Sequence, residues 1–194
     1  MKYGVRHRYV NRSTFITAMG ILSFLFGSSA KAQPASPSQG SADAGRGLRQ
    51  MMLAMPPEKA GQKPTPDFPR VYGVLMDWPI GEQIATIFSS STGAASLYTT
   101  STFGIIGVEG HEPVRASAVA LVRAADRFVD AATPTTAYPY PAADRVRFYL
   151  LTFQGVRVID TDVLSIESGA SVYAEFFNLG QAVLTQLRLV VEPP

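Results

Sequence analysis

The stretch RVYGVLMDWPIGEQIATIFSSSTGAASLYTTST, residues 70–102, decides the fold. Arg70 to Trp78 is an apolar, aromatic run that stops at Pro79-Ile80-Gly81. Gln83 to Ser89 has the composition of a second strand, and Ser91-Thr92-Gly93 supplies turn chemistry before Ala95 to Thr102. Short apolar runs separated by Gly, Ser, Thr and Pro read as strands joined by tight connections, here an antiparallel meander.

C-terminal to the meander, Gly104, Gly107 and Gly110 interrupt the chain ahead of a helix expected from Pro113 to Ala132. Val114, Ala118, Leu121, Val122, Ala125 and Val129 recur there at helical spacing, and Pro113 suits a first turn whose N–H has no partner anyway. A Pro-rich loop, Thr133 to Ala142, follows. Arg145 to Phe153 and Val156 to Asp162 flank Gln154-Gly155 and read as a hairpin. The last helix, Ser171 to Leu189, puts Phe176, Leu179, Val183 and Leu187 on one face. Gly180 inside it costs about 1 kcal/mol against Ala unless it permits close packing.

The expected fold is α+β: a five-stranded antiparallel sheet with two main helices on one face, in the order (α)βββαββα. Over the body of the chain this order resembles the topology of class I type III secretion chaperones and, loosely, a profilin-like arrangement. The resemblance is one of element order.

N-terminal to the meander, Lys2, Arg6, Arg8 and Arg12 precede an apolar run, Phe15 to Gly27, and Ala30-Lys31-Ala32 fits small-x-small processing. Basic region, short apolar core and cleavage site together predict a Sec-type signal peptide over residues 1–32. The apolar run is shorter than the roughly 20 residues needed to span a bilayer. Cleavage after Ala32 implies a periplasmic or secreted product with no membrane span. Residues 33–67 read as a flexible linker, rich in Pro, Ser, Ala and Gly, with a short helix over 48–55 stopped by Pro56-Pro57. A single α+β domain is expected over 68–194.

Composition removes several function classes. The chain has no cysteine, which excludes disulfides, thiolate metal sites and Cys nucleophiles. The formal charge of +2 is concentrated in the first 32 residues; without them twelve basic side chains face fifteen acidic ones, a net charge of −3. Phosphate-backbone binding needs clustered Lys and Arg, so nucleic acid is not an expected partner.

His111 is the only histidine outside the leader, at the helix entry with Glu109 and Glu112 beside it. Any hydrolase-type arrangement must centre on it, but no nucleophile elbow accompanies it. The glycines at 104, 107 and 110 match no phosphate-binding spacing and no Lys follows them. Asp160, Asp162 and Glu167 fall short of a calcium loop's ligand set. Hydroxyls crowd Ser89 to Thr102; such a face could hydrogen-bond a sugar or an extended peptide, but Thr as a strand former and Ser as a turn residue account for them first. No metal or cofactor is expected. Trp78, Tyr138 and Tyr140, held beside prolines, are the most binding-like residues, because rigid amphipathic aromatics grip partners at low entropic cost. The leading expectation is an exported, non-catalytic binding module for an envelope protein or peptide. The alternatives are a small hydrolase centred on His111 and a tethered accessory subunit of an envelope complex.

Overall fold

The computed structural model describes residues 39–191 apart from 102, 103, 107 and 109. The expected signal peptide, Gly107 and Glu109 lie outside the described residues. The elements are α1 (Gln39–Ala54), β1 (Val71–Ile80), β2 (Gln83–Ser90), β3 (Ala95–Thr99), α2 (Glu112–Ala125), β4 (Thr133–Pro134), β5 (Arg145–Thr152), β6 (Gly155–Asp162), α3 (Val163–Glu167) and α4 (Ala174–Val191). A single 3₁₀ turn, Asp126–Phe128, extends α2.

The sheet is antiparallel throughout, in the order β3-β2-β1-β5-β6-β4. It has six strands, not five. The extra one, Thr133–Pro134, pairs with Val158 and Arg157 of β6 inside the segment expected as a loop. Two residues carry no periodicity, and Pro argues against a strand except at an edge, where β4 lies. The hairpin between β5 and β6 turns at Phe153-Gln154, with Thr152 opposite Gly155. That between β1 and β2 turns at Gly81-Glu82, where Gly81 has φ 61° in the first loop position, the place a two-residue hairpin reserves for glycine.

β1 lies between β2 and β5 and is buried from Val71 through Asp77. A strand covered on both faces reads as a continuous apolar run instead of an alternating one, which accounts for VYGVLM. Its side chains still alternate between two cores. Val74 and Met76 join Ile87, Leu97, Phe148 and Leu150 on the face packed by α2 and α4. Val114, Ala118, Leu121 and Val122 of α2 and Phe176, Val183 and Leu187 of α4 fill this core, with the Phe176 ring 4.7 Å from that of Phe148. Gly180 is buried because the Met76 thioether occupies the space a Cβ would need, its Sδ and Cε 2.6 Å from that position.

The opposite face is covered too, which departs from the one-sided expectation. Tyr72, Leu75, Tyr149 and Leu151 form a second core with Leu53 of α1, and Tyr138 packs against it. α1 contacts β3, and Leu53 joins the β5 residues Tyr149 and Leu151, so the helix crosses the sheet. It is longer than the expected segment 48–55 and takes in residues 39–47 that composition places in a linker. Gly and Ser are poor interior helix formers, so packing supplies what propensity does not. Gly45, Arg49 and Leu53, spaced i, i+4, i+8, form its buried stripe. Helix–sheet–helix layering thus replaces a sheet with one bare face. Among the described residues no helix is long and apolar enough to cross a membrane.

Candidate functional site

An Asp in the middle of an apolar strand needs a partner, because burying an isolated carboxylate is prohibitively costly. Asp77 is 0% exposed, and Arg49, 3% exposed, reaches it from α1. Arg49 Nη2 lies 2.5 Å and Nε 3.0 Å from Asp77 Oδ2, and Thr86 Oγ1 donates to Oδ1 at 2.5 Å. The guanidinium continues into the Pro-rich loop: Nη1 donates to the Tyr138 carbonyl at 2.9 Å, and Cζ stands 4.1 Å from the centre of the Tyr140 ring. Burial alone would lower the pKa of Arg49, but the hydrogen bonds and charge of Asp77 outweigh it and hold the guanidinium above its ordinary value.

The loop is also fastened to the sheet. Tyr149 Oη donates to the Pro139 carbonyl at 2.6 Å, and Arg147 Nη1 donates to the same oxygen at 2.9 Å. Asp160, opposite Arg147 in the ladder, accepts from Arg147 and Arg145. Burial pushes the Asp160 carboxyl up, but these two cations bring it below the usual range. Asp162 caps α3 through Ser165 N at 2.8 Å. Both acids are therefore engaged within the fold, and no grouping of three His, Asp or Glu suited to a metal occurs among the described residues.

Beside the Arg49 knot, α1 and the loop leave a groove of about 530 Å³. Leu53, Ala54, Met55, Pro56 and Pro57 form one wall, and Pro134, Thr135, Thr136 and Tyr138 the other. Tyr72, Thr152, Gln154, Gly155 and Val156 complete it, and no charged residue lines it. Tyr72 Oη donates to the Met55 carbonyl at 3.2 Å, tying the end of α1 to β1.

The structure does not bring the three expected binding aromatics together. Trp78 lies on the face packed by α2 and α4, its ring edge-on to Phe177 at 5.4 Å. Tyr138 stands edge-on to Tyr149 at 5.8 Å and forms part of the groove, while Tyr140 lies beneath Arg49. His111 is exposed as the N-cap of α2, makes no side-chain capping bond and does not line the groove. Glu112 is exposed and pairs with Arg115 at 3.6 Å. Several hydroxyls of this region are used within the fold, Ser96 bonding Tyr98 Oη at 2.7 Å, Ser90 bonding Thr92 at 2.8 Å and Thr86 bonding Asp77, while Ser89 Oγ is buried without a partner among the described residues. Gly104 serves the close antiparallel approach of the chain to β3, where Ile105 bridges Leu97, and its Cβ position is blocked by the Leu97 carbonyl.

Arg49 and the groove escape sequence reading because both are assembled from segments far apart in the chain. The available signal was Asp77 itself, a carboxylate inside an apolar run, which demands a buried cation from somewhere.

Burial raises the phenol pKa of Tyr72 to about 12, helped by the charges of Glu58 and Tyr138. Burial also raises Tyr98 against its bond from Ser96, Tyr140 against Arg49, and Tyr149 against Arg147 and Arg49. Folding therefore favours the neutral phenols. Their stabilising contribution is complete below the ordinary value near 10 and disappears as pH rises, for Tyr72 between about 10 and about 12. In a spectrophotometric titration at 295 nm, Tyr72→Phe is expected to remove amplitude near pH 12. Loss of amplitude near pH 10 contradicts the burial of this phenol.

Compared with known proteins, the chain matches no family model, no curated protein and no solved structure.

Proposed function

We propose that this chain is an exported, non-catalytic binding module of the bacterial envelope that takes an uncharged, apolar or aromatic segment of a protein or peptide in the groove between α1 and the Pro134–Tyr138 loop. The observation that carries this reading is the lining: two tyrosines and three prolines among aliphatic, thioether and hydroxyl side chains and one amide, without a charge. Binding sites are concave and mostly apolar, with a few polar groups to orient the ligand. Aromatic and proline walls suit an extended peptide, which such surfaces grip without ordering flexible side chains. Export is supported by the leader-like composition of residues 1–32.

A photo-cross-linking amino acid at Gln154, in the full chain produced in an exporting host, tests the reading. The expected result is a discrete protein or peptide adduct, lost when Val156→Asp places a charge in the groove. The same cross-linker at Arg123, exposed on α2, is expected to give none of that adduct. Identical adducts from both positions, or none from Gln154, overturn the reading.

A further inference from the structure

Arg49 belongs to α1, whose last turn is one wall of the groove, yet its guanidinium also bonds the Tyr138 carbonyl on the other wall. The two walls differ in how they are held. The loop is fastened to the sheet by Tyr149 and Arg147, through the Pro139 carbonyl. Among the described residues, α1 is fastened by a narrower set of contacts: Gly45 has no side chain to bury, Leu53 is its one fully buried aliphatic anchor with Met52 partly buried beside it, the Tyr72 hydroxyl holds the Met55 carbonyl just past its end, and Arg49 is the one charged tie. Pro56-Pro57 ends the helix, and a connection of low regularity, residues 55–70, separates it from β1.

We propose that α1 is a strap latched across the sheet by Arg49, and that this latch, acting as a positioning device, sets the width of the binding groove. The inference rests on the groove reading above and assigns its regulation. A groove braced on both sides by one planar cation has two states, strap docked and strap released, and a ligand that touches both walls favours the docked one. The socket is specific for a guanidinium. Lysine offers Asp77 a charge, but it lacks the flat fork that bonds the carboxylate and the Tyr138 carbonyl together while lying over the Tyr140 ring.

Arg49→Lys in the full chain is the decisive variant, because it keeps a cation for Asp77 while removing the bridge. Hydrogen–deuterium exchange on the unliganded protein is expected to show at least tenfold faster exchange across residues 45–55, with β1 and β5 unchanged. The neutral fluorophore N-phenyl-1-naphthylamine serves as the groove probe and is expected to bind at least fivefold more weakly than to wild type. Arg147→Gln, which loosens the loop and leaves α1 latched, is expected to leave exchange over 45–55 unchanged. Unchanged exchange in Arg49→Lys overturns the strap. Faster exchange with unaltered probe affinity overturns its control of the groove. A wild-type protein that leaves the fluorophore unbound overturns the groove reading itself, while the exchange result still decides the strap.

Discussion

Arg49→Ala is expected to destabilise the folded chain by about 3–5 kcal/mol, read from the midpoint of urea unfolding at constant slope. The mutation leaves a carboxylate with 0% exposure and one remaining donor, the Thr86 hydroxyl, in place of a two-nitrogen clamp. It also strips the Tyr138 carbonyl of its bond from Arg49 and the Tyr140 ring of its cation. The cost lies in stranding a buried carboxyl, which burial pushes above its ordinary value even against the opposing pull of Arg49, and not in the worth of the pair, since desolvating two ions offsets most of their mutual attraction. The double substitution Arg49→Met with Asp77→Val is therefore expected to recover most of the loss, to within about 2 kcal/mol of wild type. Asp77→Asn should cost less than Arg49→Ala, because Arg49 keeps its carbonyl and ring contacts. A variant Arg49→Ala within about 0.5 kcal/mol of wild type would show that α1 does not hold a buried charge.

Gly104→Ala is expected to cost about 3 kcal/mol or more. A Cβ at this position would stand 1.4 Å from the Leu97 carbonyl oxygen and 2.4 Å from its carbon. These are backbone atoms, so no side-chain rotation relieves the overlap. Relief requires the chain to part from β3, which breaks the reciprocal bonds between Leu97 and Ile105, both 2.8 Å, each worth about 1 kcal/mol net. The Leu97 and Ile105 side chains, now buried, would follow. Gly110→Ala is the control: no atom lies within 4 Å of its Cβ position, and the change should fall within about 0.5 kcal/mol. Equal melting temperatures for the two variants would contradict the close approach of Gly104 to β3.

The two described glycines ahead of α2 are thus unlike each other. Gly104 answers to a backbone contact and Gly110 to open space, while Gly107 lies outside the described residues. Identical letters at regular spacing in the sequence conceal this difference, because what distinguishes them is the strand that passes nearby.

Local patterns determined a large part of this protein by themselves. The meander of residues 70–102, the amphipathic stripe from Val114 to Ala125, the β5–β6 hairpin and the apolar face of Phe176, Val183 and Leu187 were legible, because each depends on periodicity and turn chemistry within one window. Tertiary structure alone decided the rest. Gly and Ser in residues 39–47 argue against a helix, and only the sheet beneath makes one. Thr133–Pro134 becomes a strand only because β6 offers an edge. Trp78 and Tyr138, alike in their proline-flanked settings, are sent to opposite faces of the sheet: Trp78 by alternation along β1, Tyr138 by packing of its loop against the second core. The Arg49 contacts unite residues 28 to 90 positions apart, and the groove likewise draws on separate segments of the chain. Composition and spacing report what a segment prefers in isolation, and these features exist only where separate segments bury one another's surfaces.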